Sequence, residues 1–194
     1  MTHPLPHDRI AALDPAVLAV LQAVAALGRA AVRDAAAVLG VRTEHLAAAV
    51  RAGVLVLDDG SLRPVDPELG AAALAGLADA DRRALHARLA ASSVTDADAL
   101  RQRDLATPDG IHEELAAALE RVAARAELAG LVEDALEFWG RSAARSEPDS
   151  ASRNRRELRL AEQAHLEGRF GTAGAILEAL HLSLIHISEP TRPY

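Results

Sequence analysis

The basic chemistry of this chain is carried by arginine alone: all 21 basic residues other than histidine are Arg, and lysine is absent. A Walker-type phosphate loop needs a lysine at the β- and γ-phosphates, and Schiff-base catalysis needs its amine, so both are excluded. With no cysteine there is no thiolate nucleophile, no cysteine-ligated metal and no disulfide framework, which fits a reducing cytoplasm. Histidine remains. His3 and His7 stand four apart, but Pro4 and Pro6 forbid the helix that would put them on one face, so this is a solvated terminus. His86 has no carboxylate or hydroxyl partner identifiable in the sequence and reads as a packed helical histidine. No nucleophile–base pair or metal-ligand spacing emerges, so no catalytic, cofactor-binding or metal residue is assigned and the chain reads as non-enzymatic.

What remains is surface chemistry, and Val32 to Val65 must position it. The segment changes hydrophobic period from helical to strand-like. The spacing predicts a helix over about Ala31 to Leu39 ended by Gly40, a second over about Glu44 to Ala52 capped by Thr43 and closed by Gly53, and a hairpin turning at Asp59-Gly60. A preceding helix starts at Asp14-Pro15 and stops at Gly28, with a stripe of Leu18, Leu21, Val24 and Leu27. Three helices and a two-stranded wing make the winged-helix pattern. In a DNA reader the third helix would enter the major groove, exposing Glu44, His45, Ala48 and Arg51, so Arg42, His45 and Arg51 are the candidate DNA contacts. Across Arg29 to Arg63, however, five arginines face four acids (Asp34, Glu44, Asp58 and Asp59). Duplex binding draws its affinity from uncompensated cations, so packing against protein is the preferred reading.

Asp66-Pro67 and then Asp79 or Asp81 start two further helices, the second burying Leu85 and Leu89 and turning Arg82, Arg83 and Arg88 outward. Residues 1–13 read as a frayed lead-in, 14–92 as the winged-helix domain, and 93–109 as a polar linker. Residues 110–181 then repeat themselves with an offset of thirty-eight positions, the separation of Gly130 and Gly168. The same offset pairs Ala123 with Ala161, Ala126 with Ala164, and Ala135 with Ala173. Each unit reads as helix, glycine turn, helix, and resembles tetratricopeptide repeats, whose period is about 34. Phe138 and Trp139 are a candidate partner surface, although aromatics between paired helices are usually core. The acids Glu113, Glu114 and Glu120 and the arginines Arg153, Arg155, Arg156 and Arg159 read as solvated faces. The expected fold is therefore mainly α: a winged-helix unit with a small β-hairpin, followed by antiparallel helical hairpins. Hydrophobic residues are 50% of the chain, much of it alanine, and aromatics only 2%, which suits helix-on-helix packing better than a sandwich or barrel.

Residues 182–194, LSLIHISEPTRPY, are similar to a translated transposon adapter and are set aside as a non-native tail, which would make the chain the interior of a longer protein. Three further stretches resemble large LuxR-type ATP-dependent regulators. Arg83 to Ala90, RALHARLA, is similar to that family's leucine–histidine helix. Arg63 to Leu69 looks like a degraded form of its arginine-phenylalanine-arginine-histidine-proline-leucine element, with Pro67 matching and Asp66 in the histidine place. RQRDLA, Arg101 to Ala106, resembles a third element, again with an aspartate, Asp104, where histidine is usual. The resemblance implies a regulatory, signal-relay fragment with no cofactor in this chain, ATP being held by a missing N-terminal domain. Its partners would be the parent protein's ATPase and DNA-binding domains, or another protein or inducer at the repeats, with DNA engaged only indirectly and no membrane. The alternative is an autonomous winged-helix DNA-binding factor with a helical dimerisation tail. Either would be cytoplasmic.

Overall fold

The computed structural model describes residues 6–28, 30–31 and 42–188. The chain is mainly helical with one small antiparallel sheet and divides into two compact units, Met1–Pro108 and Asp109–Tyr194.

The first unit is built around α2 (Pro15–Leu27), which follows a short α1 (Pro6–Ala11). The Asp14 carboxylate accepts from the Ala16 amide at 2.8 Å, Pro15 fills the first turn, and Gly28 ends the helix at φ 74°. Val17, Val20, Leu21, Ala23 and Val24 are buried, whereas Leu18 and Leu27 of the expected stripe are only partly so. An alanine-rich helix is apolar on most sides, so periodicity leaves its rotation open. Here α2 is enclosed on two sides, with Ala23 meeting Leu85 and Leu89 while Val20, Leu21 and Val24 face the sheet side.

The expected helix over Ala31 to Leu39, with Gly40, lies outside the described residues apart from Ala31, which joins Ala30 in the two-residue strand β1. The next helix, α3 (Thr43–Arg51), begins one residue earlier than expected: Thr43 is its first residue, and Arg42, in the capping position, supplies no side-chain hydrogen bond. At its end Gly53 (φ 67°) lets the Val54 amide reach the Ala49 carbonyl at 3.2 Å and its own amide reach Val50 at 3.0 Å, the paired closure that left-handed glycine allows. β2 (Leu55–Asp58) and β3 (Ser61–Pro64) pair antiparallel with Asp58 opposite Ser61. Asp59 (φ 47°) and Gly60 (φ 72°) both take positive φ, the two-residue turn whose twist matches the strands. β1 joins the other side of β3, giving the order β1-β3-β2 and seating Leu55 and Leu62 in the core.

Asp66 caps α4 (Pro67–Ala75) by accepting from the Glu68 amide at 2.9 Å. Gly70 on α4 lies so close to its neighbours that an added Cβ would sit 3.1 Å from Pro64 Cγ and 3.2 Å from Ala25 Cβ. Gly70→Val should therefore cost about 1–3 kcal/mol by overpacking, read as a lower urea midpoint for the first unit. α5 (Asp79–Ser92) buries Leu85 and Leu89, as its periodicity suggests. The segment 93–109, expected to be a linker, instead contains α6 (Asp96–Ala106), which packs on α5 and belongs to the first unit. Thr95 caps it, accepting from the Asp98 amide at 3.0 Å. Its polar sequence hid this packing because its buried side chains, Gln102 and Asp104, are themselves polar.

The second unit has four consecutive packed helices: α7 (Glu113–Leu128), α8 (Val132–Ala144), α9 (Ala151–Leu166) and α10 (Phe170–Ser188). Three-residue turns join α7 to α8 and α9 to α10, and both close identically. Gly130 (φ 71°) lets Leu131 bond Ala126 at 2.9 Å, and Gly168 (φ 74°) lets Arg169 bond Ala164 at 2.8 Å. The alanines related by the thirty-eight-residue offset, Ala123, Ala126 and Ala135 with Ala161, Ala164 and Ala173, are all buried, letting the helix backbones approach closely. Among the described residues no helix is long and apolar enough to cross a membrane.

Candidate functional site

The exposed face of α3 carries the candidate DNA contacts, but not as a free cationic surface. Arg42 is bound to Glu44 at 2.8 Å, and His45 Nε2 lies 4.0 Å from the same carboxylate. One acid thus answers two of the three groups, and the third, Arg51, stands exposed at the far end of the helix. On the hairpin, Arg63 faces Asp58 at 3.9 Å. Of the other side chains expected on this face, Ala48 is half-buried and packed on the core. Helix α3 buries Leu46 and Ala49.

His86 is buried and finds a partner the sequence did not show. Gln102 of α6 donates its amide nitrogen to the Ala26 carbonyl at 3.1 Å, which turns its oxygen towards His86 Nδ1 at 2.7 Å. The imidazole must therefore donate from Nδ1, and the pair ties α5 and α6 to α2. This is a structural tie between helices. Among the described residues no three His, Cys, Asp or Glu side chains gather as metal ligands.

In the second unit Phe138 and Trp139, candidate partner surface, are fully and nearly fully buried in the helical core and offer no platform. Trp139 Nε1 is enclosed without a hydrogen-bond partner among the described residues. Of the arginines and acids read as solvated faces, Arg155 and Arg156 pair with Glu120 and Glu113, while Glu114 is exposed as expected. Arg156 is only 2% exposed, the largest of the fully buried side chains. Its Nε donates to Glu120 at 2.9 Å, and one terminal nitrogen donates both to Glu113 at 2.7 Å and to the Ser146 hydroxyl at 2.6 Å. Ser146 passes its own proton to the Ser142 carbonyl at 2.8 Å, and Ser142 donates to the Ala116 carbonyl at 2.7 Å, so one chain of bonds joins α7, α8 and α9. Arg155 adds a bond to Glu120 at 3.0 Å, and Arg159 bonds Glu127 and Glu162. The signal was available: Glu113, Glu120 and Glu127 recur every seven residues, two helical turns, and so form one acidic ridge.

Burial alone would raise the Glu120 pKa, but hydrogen bonds and charge from Arg156 and Arg155 outweigh it and hold the carboxyl below its ordinary 4.5. A carboxylate depressed in the folded state contributes stability that is present above the unfolded value and lost as pH falls through the folded one. The denaturation midpoint of the second unit should therefore fall from about pH 4.5 downward, and Glu120→Gln should flatten part of that fall. Trp139, the single tryptophan, reports it by fluorescence.

Two grooves flank α9. One, of about 670 Å³, lies among α8, α9 and α10 and is lined by Gly140, Ala143, Leu160, Ala175 and Ile176, with Arg153 and Glu157 beside them. The other, of about 440 Å³, is lined by Leu158, Ala161, Ala173 and Leu177, with Glu162 among its polar groups. Both suit the packing of apolar side chains from another helix. Comparison of the chain with protein-family models, with characterised proteins and with solved structures gives no match.

Proposed function

We propose that this chain is a regulatory, signal-relay part of a transcriptional regulator of the kind it resembles, the large LuxR-type ATP-dependent class. In this reading the first unit is a winged helix used to pack against protein, and the second is a pair of tetratricopeptide-like hairpins that receives a partner protein or an inducer. Catalysis and ATP binding belong to another part of the parent, as does direct DNA binding, and the setting is the cytoplasm. The observation that carries the reading is the pairing of Arg42 with Glu44, with His45 beside the same carboxylate, on the helix that would otherwise face bases. The apolar grooves beside α9, built from small residues and leucines, support the second half of it.

Fluorescence anisotropy with a labelled duplex, at low and at moderate salt, tests the proposal. The expected result is no binding tighter than about 10 μM at moderate salt. Tight, salt-sensitive binding would instead establish an autonomous DNA-binding factor. A rise in melting temperature on adding ATP would contradict the placing of nucleotide elsewhere.

A further inference from the structure

The seat that α9 occupies on α7 and α8 has a counterpart on α9 and α10, because the two hairpins repeat with an offset of thirty-eight residues and close on equivalent glycines. In the internal seat, Glu113 and Glu120 of α7 clamp Arg155 and Arg156 of α9. In the counterpart seat the places of Glu113 and Glu120 are taken by Ala151 and by Leu158, which is 44% exposed beside the groove of about 440 Å³. A helix filling that seat needs small uncharged residues where α9 has its two arginines. The chain holds such a helix. Thirty-eight positions before Arg155 and Arg156 stand Ala117 and Ala118, both half-buried, Ala117 on the side of α7 away from its buried residues Leu115, Leu119 and Val122 and Ala118 at the border of that buried face. Acid has become leucine on one side, and arginine has become alanine on the other.

We infer that a second copy of this chain docks head to tail, its α7 lying in the groove between α9 and α10 with Ala117 and Ala118 against Leu158. The contact is heterologous, so it propagates from copy to copy into short chains or a ring. The inference needs the helical pairing of the second unit and not the regulatory reading, so a DNA-binding result leaves it untouched.

Sedimentation velocity on the full chain tests it, from about 1 μM to about 200 μM, the range in which transient interfaces form. The wild type should gain mass with concentration. Leu158→Glu and Ala118→Arg should each stay monomeric, with helical circular dichroism and Trp139 fluorescence unchanged to show that both fold. An equimolar mixture of the two variants should associate again, because the unaltered α7 of Leu158→Glu meets the unaltered groove of Ala118→Arg. A wild type that remains monomeric throughout, single variants that still associate, or a mixture that does not recover would each overturn the inference.

Discussion

Arg156→Ala is expected to cost the second unit about 3 kcal/mol, because it empties a fully buried site and removes charge-assisted hydrogen bonds worth about 1.5–3 kcal/mol. Glu120 would keep Arg155, but Glu113 and the Ser146 hydroxyl would each lose the guanidinium that they share. Arg156→Lys should recover only part of the loss, since an ammonium cannot reproduce the guanidinium's fork of Nε and terminal nitrogen. Arg155→Ala is the control. That side chain is 58% exposed and its pairing is open to solvent, so the change should cost no more than about 1 kcal/mol. Urea titration followed by Trp139 fluorescence separates these outcomes, because the single tryptophan reports on the second unit. Equal losses at Arg155 and Arg156 would mean that the buried network does not hold α9 in its seat.

Phe138→Ala should be as damaging, at about 3–5 kcal/mol, through lost burial and the cavity left behind. The residue is fully buried on α8. Had Phe138 and Trp139 formed an exposed platform for a partner, the same change would leave stability nearly unaltered and reduce only binding. Circular dichroism melting discriminates between the two. A midpoint within a degree or two of the wild type would return these aromatics to the surface.

The contrast between these two sites shows what the residue pattern conveys. Elements marked by local chemistry were legible: the Asp14-Pro15 and Asp66-Pro67 caps, the Asp59-Gly60 turn and the left-handed glycines at 53, 130 and 168 appear where their residue types place them. Each needs information from only a few neighbouring residues. Rotation of the alanine-rich helices was not legible, because Val17 and Leu18 are equally apolar and only the tertiary partners choose between them. That helix α6 packs as part of the first unit was not legible for the opposite reason, its inward face being Gln102 and Asp104. The Arg156 network was missed because its acids lie 36 and 43 residues away in the chain. A run of arginines looks solvated until the ridge that answers it is placed alongside. The candidate DNA contacts could be read as separate residues, but the placing of Arg42 and His45 beside the Glu44 carboxylate appears only in space.

The proposal that the α3 face, where Glu44 lies beside Arg42 and His45, is not a base-reading surface is tested most directly by the salt dependence of duplex binding for the wild type beside Glu44→Gln. The wild type should show no measurable binding at physiological salt. The variant, with Arg42 and His45 released, should gain only weak low-salt binding, with a slope of log K against log salt of about −1 to −2. A wild type that binds duplex more tightly than about 1 μM at physiological salt, with Glu44→Gln making no difference, would contradict the account.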